Sequence, residues 1–416
     1  MAGPRLRAAG SALLAWAVGL SADAQPFHLD DPVPAIERWM YAFNAAPCDR
    51  PAGSVFGTFG DESGVDTRHG QHLIGWDTGA AIPPGQGAHR YLIRRCRVTL
   101  TINRGNLFVH DPTHDDFRTY FAPHEPGWQP DDDAGRPVEL FGAGYRNGFT
   151  AASFEPCSPF GSNAAGERNA FAAGWSTEGR LVDVSNNVGK TNEAFPRFEA
   201  VPFAVGRALL VEPGARVPAG AKVEFDLNLA DPLVLAYVQQ ALHEGRIRFM
   251  ISSLHGNAGP QGAPAFPDFA TQFNQAVLDP TRLELEGRLV RETDADGDGL
   301  PDDWELFYLA GLGHGAADDP DGDGASHATE YQAGTDPTIA ASAPRVRLRG
   351  RAAVEVHIEF THAALRRHTI EYADDLGHWQ PLPGRPRFHV GSATAWWTDA
   401  TPGASRRFYR LRMETP

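Results

Sequence analysis

The chain has 416 residues, which is too long for one ordinary hydrophobic core and predicts about two or three domains. Its 44 glycines and 33 prolines favour many turns and a β-rich architecture. The formal net charge of −15 excludes nucleic acid as a partner, because phosphate binding requires a basic surface.

The N-terminus has the pattern of a secretory signal peptide over residues 1–24. Arg5 and Arg7 form the positive region, residues 8–20 form a short apolar run, and Ala22-Asp23-Ala24 fits a cleavage site. A buried N-terminal helix is the alternative interpretation. The run is too short for a stable membrane span, and no later stretch is apolar over a sufficient length. We therefore expect a secreted or cell-surface protein with no transmembrane segment in the mature chain.

The three cysteines are Cys48, Cys96 and Cys157. An oxidising compartment permits one disulfide and leaves one free thiol, and the sequence leaves the pairing open. No C-x-x-C pair is present, so the spacing fits no zinc site.

Residues 25–290 are expected to form one large, jelly-roll-like β-sandwich. Within 222–229 apolar and polar residues alternate, which is typical of a strand with one buried face. One helix is predicted over 231–245, with Asp231 as the N-cap and Pro232 at the first helical position. Short apolar runs bounded by turn residues predict strands at 91–102, 138–142, 208–212, 222–229, 246–254 and 282–290.

The acidic charge is concentrated in one short region, residues 291–338, which we call the acidic segment. From Glu292 to Asp336 there are thirteen Asp and Glu residues and no Lys or Arg, so this stretch carries −13 and the rest of the chain −2. Mutual repulsion would keep such a stretch unfolded unless cations neutralised it.

Two stretches of the acidic segment match the twelve-residue calcium loop, which takes ligands from positions 1, 3, 5, 7, 9 and 12. Gly299 and Gly324 stand at position 6, where the loop turns sharply. The predicted ligands of the first loop are Asp294, Asp296, Asp298, the carbonyl of Leu300, Asp302 and Glu305. Those of the second loop are Asp319, Asp321, Asp323, the carbonyl of Ala325, His327 and Glu330.

The chemistry of these ligands selects the metal. Oxygen ligands without cysteine favour calcium over zinc or copper, and magnesium requires a tighter octahedron. Because histidine is a poor ligand for a hard cation, we expect water at the position of His327. Asp302 is expected to act through water as well.

A solvated acidic linker is the alternative interpretation of this segment. The apolar run at 304–309 argues against it, because disordered linkers rarely carry tryptophan, phenylalanine and leucine together. No amphipathic helix precedes either loop, so each EF-hand-like unit is predicted to be a loop followed by one short helix.

This layout resembles dockerin modules and the thrombospondin type 3-like repeats of exported bacterial proteins over residues 292–338. The second unit ends in G-T-D-P at 334–337, as such repeats do. The resemblance implies structural calcium in an extracellular setting. More loosely, residues 39–44, 75–93 and 231–255 resemble the DNRLRE-type jelly-roll modules of secreted bacterial proteins, which transfer no catalytic motif.

A linker of small residues, 338–344, precedes a predicted small C-terminal β-sandwich at 345–416. Within 354–360 apolar residues alternate with charged ones, as in a strand with one buried face. The segment 367–383 is expected to form a strand, a turn at Asp374-Asp375 and the start of a second strand.

Catalytic motifs are missing from the sequence: there is no H-E-x-x-H, no G-x-S-x-G and no Walker loop. Residues 110–117 carry His110, Asp111, His114, Asp115 and Asp116, which could bind a metal. Because a proline follows Asp111 and disfavours the helix that such spacing needs, we interpret them as a polar loop.

Four tryptophans lie in or beside turn-rich segments: Trp39, Trp76, Trp128 and Trp175. Exposed on a sandwich, they could stack on sugar rings, whereas buried they would belong to the core. The sequence therefore predicts a secreted modular calcium-binding protein with a structural, adhesive or ligand-binding role. The alternatives are a carbohydrate-binding or glycan-processing accessory protein and a dockerin-like assembly module, with an extracellular glycan or protein as partner.

Overall fold

The computed structural model describes residues 26–44, 48–58, 67–121, 123–162, 166–185, 201–257, 263–277, 279–351, 355–400 and 406–414. The predicted signal peptide, residues 1–24, lies outside these ranges. The fold is mainly β, as predicted, and the described part of the chain contains three short α-helices. None of these helices has the length and apolar character needed to cross a membrane.

The strands and helices are numbered in chain order. The N-terminal strands are β1 (Pro26–Asp31), β2 (Ile36–Met40), β3 (Ala52–Ser54), β4 (Phe56–Thr58), β5 (Thr67–Trp76), β6 (Tyr91–Thr101), β7 (Val138–Tyr145), β8 (Ala170–Trp175), β9 (Leu181–Asp183), β10 (Ala204–Val205), β11 (Arg207–Ala208), β12 (Lys222–Asp226), β13 (Ile247–Ser253), β14 (Asp268–Ala270) and β15 (Thr281–Leu289). The helices are α1 (Pro232–His243), α2 (Asp302–Tyr308) and α3 (His327–Ala333). The C-terminal strands are β16 (Val346–Arg351), β17 (Val356–Thr361), β18 (Arg367–Ala373), β19 (Gln380–Pro381), β20 (Arg387–Phe388), β21 (Thr394–Asp399) and β22 (Phe408–Glu414).

Two antiparallel sheets form the N-terminal sandwich. One has the order β1-β15-β6-β12-β11, and the other has the order β2-β5-β13-β7-β8-β9, with β4 beside β5 and β10 beside β7. Strands that are distant in the sequence pair with each other, as in a jelly roll. The alternation predicted for β12 is confirmed over the observed strand, since Val223 and Phe225 are buried while Asp226 is exposed. Apolar side chains from both sheets form one core.

Helix α1 begins where its capping residues predict. The Asp231 carboxylate accepts a hydrogen bond of 2.8 Å from the Leu233 amide, and Pro232 occupies the first turn. Val238 and Leu242 are buried against the core. The expected helix over 231–245 is therefore confirmed, with the observed helix shorter at both ends.

The predicted strand at 208–212 is wrong. Only Arg207–Ala208 pairs with β12, and the chain then turns. Leu210 has a φ of 60° and is fully exposed. A left-handed backbone cannot continue a strand, so the apolar composition of this run belongs to a turn.

The C-terminal strands form two smaller sheets, β16-β17-β21-β20 and β19-β18-β22, around an apolar core of their own. Ile358, Phe360 and Ile370 are buried in it. The two β units also contact each other directly. The Gly391 amide donates to the Asp231 carboxylate at 2.8 Å, and the Phe388 amide donates to the Thr177 carbonyl at 2.8 Å.

The cysteines divide into one disulfide and one thiol. Cys48 and Cys157 are bonded, and Cys96 is free and buried on β6. Burial raises the pKa of the Cys96 thiol, which keeps it protonated and unreactive in the folded protein.

Candidate metal centre

The first acidic loop is folded by its own aspartates. One oxygen of Asp294 accepts from the Gly297 amide at 2.7 Å, and the other accepts from the Gly299 amide at 2.9 Å. Asp298 accepts from the Leu300 amide at 2.8 Å. Gly297 and Gly299 have φ values of 78° and 96°, a conformation that a side chain would disfavour. The glycines therefore allow the chain to wrap around the carboxylates.

The second acidic loop has the same internal bonding. Asp319 accepts from the amides of Gly322 and Gly324, both at 3.0 Å, and Asp323 accepts from the Ala325 amide at 2.7 Å. The two glycines again have positive φ, 73° and 93°. The same backbone path thus occurs twice in the acidic segment.

Each loop is closed by an equivalent backbone hydrogen bond. The amide of Asp302 donates to the Thr293 carbonyl at 2.8 Å, and the amide of His327 donates to the Asp318 carbonyl at 3.0 Å. In each case the ninth loop residue bonds to the residue that precedes the loop. A short helix, α2 or α3, follows this closure, as predicted.

The first three acids of each loop converge. One carboxylate oxygen from each of Asp294, Asp296 and Asp298 lies within 4.8 Å of the other two. The same holds for Asp319, Asp321 and Asp323. Such crowding is repulsive without a cation, because like charges at this separation cannot be screened fully.

The glutamates at position 12 give independent evidence for a ligand. Glu305 and Glu330 are both 0% exposed, and neither carboxylate oxygen of either residue has a hydrogen-bond partner in the described protein. One oxygen each of Asp298, Asp321 and Asp323 is buried in the same unpartnered way. Burying an ionised carboxylate without a partner is very costly, so these oxygens fit a divalent cation.

The electrostatics agree with this geometry. Burial, followed by the charges of Asp298 and Asp296, raises the pKa of Glu305 to about 7. Burial, followed by the charges of Asp323 and Asp321, raises the pKa of Glu330 to about 8. Each glutamate therefore lies within electrostatic reach of the aspartates of its own loop.

The residues predicted at position 9 have other contacts. Asp302 accepts from the Ala295 amide at 2.7 Å, so this carboxylate ties the loop to its own start. The ring of His327 is buried, and its Nδ1 lies 3.2 Å from the Gly315 carbonyl. The same ring makes an edge-to-face contact with Trp304, with 6.1 Å between the ring centroids. The structure thus brings the aspartates of positions 1, 3 and 5 of each loop together and buries the glutamate of position 12.

The position 7 residues, Leu300 and Ala325, offer carbonyls as predicted ligands and bury their side chains. Their amides are held by Asp298 and Asp323. The loops are therefore attached to the interior through these two side chains.

One functional residue of the segment was not predicted. Asp303 is 1% exposed, and its carboxylate lies 3.0 Å from Arg288 Nη1 and 3.0 Å from Arg291 Nε. These ion pairs fasten α2 to the end of β15. The two arginines at the start of the acidic segment, Arg288 just before it and Arg291 as its first residue, were the available signal.

The loop at residues 110–117 behaves as a polar loop. Oxygens of Asp111, Asp115 and Asp133 lie within 4.8 Å of one another, but Arg136 Nη1 lies 2.7 Å from Asp115 and supplies positive charge. His110 bonds to the backbone, accepting from the Ala208 amide at 3.0 Å.

Of the four tryptophans considered as sugar platforms, only Trp128 is exposed, at 38%. Trp76 is completely buried, and Trp175 packs against the main core. Trp39 is partly buried, and its indole N–H donates to the Ser54 carbonyl at 2.8 Å. The four therefore do not form one exposed face.

Comparison with known proteins adds no relative: no protein-family model, curated protein or solved structure matches this chain. The geometry of the acidic segment is therefore the basis for a functional assignment.

Proposed function

We propose that this is an exported modular protein in which two calcium ions turn the acidic segment into a rigid joint between two β-sandwiches. The first ion is held by Asp294, Asp296, Asp298, the carbonyl of Leu300 and Glu305, and the second by Asp319, Asp321, Asp323, the carbonyl of Ala325 and Glu330. The observation that carries the proposal is the complete burial of Glu305 and Glu330 without a hydrogen-bond partner.

The contacts of the two helices support the role of a joint. Helix α2 contacts β15, and Arg94 of β6 donates from Nη2 to the Phe307 carbonyl at 2.6 Å. Helix α3 contacts β22, and Arg366 Nε donates to the Gln332 carbonyl at 3.2 Å. One helix is thus attached to each sandwich. A cation that orders the loops would fix both helices, because metal binding and loop folding are coupled.

The oxygen-only ligand sets support calcium. Extracellular calcium modules of this kind bind at roughly 10⁻⁴–10⁻³ M, which matches the medium outside a cell. The joint would therefore be loaded after export. Its role is structural, and it would also protect the acidic segment from proteolysis.

The test compares the full chain in millimolar calcium with the same chain in excess chelator. We expect calorimetric unfolding at a lower temperature in chelator and new proteolytic cleavage within residues 291–338. Glu292 is acidic and exposed but stands outside both loop templates. The Glu292→Gln variant is therefore the control, and it should respond to calcium and to chelator as the parent chain does. Equal unfolding temperature and equal protease resistance with and without calcium would refute the joint.

A further inference from the structure

A cavity of about 270 Å³ lies where the sandwich, the acidic segment and the C-terminal domain meet. Small-molecule sites measure roughly 300–1,000 Å³, so this cavity has room for a single ring rather than an extended chain. Its wall comes from all three regions, with Arg90 and Gln239 from the N-terminal sandwich and its helix, Trp304, Tyr308 and Tyr331 from the acidic segment, and Arg366 from the C-terminal domain.

One side of the cavity is aromatic. The ring centroid of Trp304 lies 5.3 Å from that of Tyr308 and 5.7 Å from that of Tyr331. These rings come from α2 and α3, the helices that follow the two acidic loops. Aromatic faces of this kind pack against the apolar face of a ring-shaped ligand.

The wall of the cavity also carries positive charge. Arg90 Nε donates to the Val290 carbonyl at 2.7 Å, and Arg366 Nε donates to the Gln332 carbonyl at 3.2 Å. Neither guanidinium forms an ion pair with a carboxylate within the described residues. Burial, and then the charges of Arg366 and Arg90, lower the pKa of His89, while the charge of Glu292 raises it.

Among the described residues that line the wall, Glu292 is the single acidic one, and it is exposed. With His89 neutral, the two arginines exceed this one carboxylate by one positive charge. Guanidinium groups recognise carboxylates through paired hydrogen bonds, so an anionic ligand would supply the missing partner.

Two buried polar atoms in the same wall have no hydrogen-bond partner in the part of the chain that the structure describes. Gln239 is 5% exposed, and its Nε2 donates to the Tyr91 carbonyl while its Oε1 is unsatisfied. Thr335 is 4% exposed, and its Oγ1 is unsatisfied. An amide oxygen only accepts hydrogen bonds, so a carboxylate cannot satisfy it, whereas a hydroxyl group can. The ligand therefore needs hydroxyl donors as well as a negative charge.

We propose that this cavity binds an acidic monosaccharide unit, a sugar ring that carries a carboxylate. The aromatic side chains contact the ring face, and Arg366 and Arg90 bind the carboxylate. Gln239 accepts a hydrogen bond from a sugar hydroxyl group, and the Thr335 hydroxyl can donate to or accept from another. The site itself stands on these contacts. Its dependence on calcium rests on the proposed function, because α2 and α3 supply the aromatic wall.

The test is titration calorimetry of the full chain in millimolar calcium, with D-glucuronate and D-galacturonate as probes. Glucose tests the requirement for charge, and acetate tests the requirement for the ring. We expect heat of binding from at least one uronate, at least about tenfold weaker binding of glucose, and no measurable binding of acetate. Absence of binding by both uronates, or equal binding of glucose, would overturn the proposal.

Two variants locate the site. Arg366→Gln and Thr335→Val should each weaken uronate binding by about tenfold, whereas Arg347→Gln, an exposed arginine on the same domain, should leave it unchanged. Calorimetric unfolding of each variant checks that it is folded. A folded Arg366→Gln protein with unaltered affinity would contradict the assignment.

Repeating the uronate titration in excess chelator, and measuring stability with and without calcium, separates the two proposals. Uronate binding that survives chelation would support the cavity and refute its dependence on calcium, whereas the rigid joint is judged by the unfolding temperature and protease resistance. Calcium-dependent stability without uronate binding would support the joint and refute the cavity.

Discussion

The carboxylate of Asp303 and the guanidinium of Arg288 form an ion pair of 3.0 Å that joins the acidic segment to the last strand of the N-terminal sandwich. Arg291 completes the arrangement, with its amide donating to the same carboxylate at 3.1 Å. Asp303 stands beside Asp302, whose carboxylate bonds within the first acidic loop, yet the partners of Asp303 are arginines. The two neighbouring carboxylates thus have different roles. Asp302 accepts a hydrogen bond within the acidic loop, and Asp303 binds the arginines at the end of the sandwich.

Asp303→Asn tests this anchor. The substitution removes the charge of a buried carboxylate that pairs with two partly buried arginines, so we expect a loss of about 1–3 kcal/mol in the free energy of unfolding. Urea unfolding in millimolar calcium measures it. Glu292→Gln, an exposed acid nearby, should change stability by less than about 0.5 kcal/mol. If both variants behave alike, Asp303 is not an anchor.

Glu305→Gln and Glu330→Gln should have opposite effects with and without calcium. In calcium each variant loses a ligand charge, and we expect affinity at that loop to fall by about 10- to 100-fold with a lower unfolding temperature. In chelator each variant removes a buried carboxylate that repels its neighbours, so the unfolding temperature should rise. Calorimetry in both conditions measures the two signs. A lower unfolding temperature in both conditions would indicate a packing role instead.

The parts of the fold that sequence reasoning predicted are governed by local pattern. The β12 strand follows from its alternation, helix α1 from Asp231 and Pro232, and the acidic loops from one contiguous template. Leu210 shows the limit of composition, because its left-handed turn depends on the surrounding chain and not on its apolar side chain.

Features built from distant segments could not be predicted. The pairing of Cys48 with Cys157 spans 109 residues, and three cysteines allow several pairings. The cavity joins Arg90, Trp304 and Arg366, which no periodicity connects. The role of Asp303 could not be predicted from the calcium-loop template either. Asp303 lies outside the ligand positions of the template, which does not say what such a residue contacts.

The C-terminal domain should lose stability in mild acid through two buried histidines. His362 and His368 have ring centroids 5.0 Å apart, and burial lowers their pKa values from 6.5 to about 3 and about 4. The unfolded chain therefore binds more protons between about pH 6.5 and 4. Stability is complete above pH 6.5 and falls as the pH decreases, by roughly 2 kcal/mol per ring at pH 5.

Urea unfolding at pH 7 and pH 5 measures this loss for the parent chain and for His362→Phe. The variant removes one titrating ring, so we expect it to lose about 1–2 kcal/mol less on acidification. His357→Asn, at a half-exposed position on β17, is the control and should follow the parent chain. An identical pH dependence in all three proteins would exclude the histidine pair as its cause.

The free thiol should be silent in the folded protein. Cys96 is 1% exposed in the main core, and burial raises its pKa, so a thiol reagent should not modify it under native conditions. In denaturant we expect one reactive thiol per chain, and three after reduction of the Cys48–Cys157 bond. Rapid modification of Cys96 in the native protein would contradict its burial.

Trp304 should couple the two acidic loops. It lies on α2, is 3% exposed, and contacts His327 at 6.1 Å and Tyr331 at 5.7 Å between ring centroids, both on α3. Ordering one loop therefore positions the ring against which the other helix packs. We expect the parent chain to bind its two calcium ions cooperatively.

Trp304→Ala removes this shared contact while leaving every proposed calcium ligand in place. We expect two independent binding events in calcium titration calorimetry and a loss of about 3–5 kcal/mol in the free energy of unfolding. Trp128→Ala, at an exposed tryptophan, should change neither quantity appreciably. A cavity alone would lower the free energy of unfolding without altering the cooperativity of calcium binding. The loss of cooperativity is therefore the result that identifies Trp304 as the link between the loops.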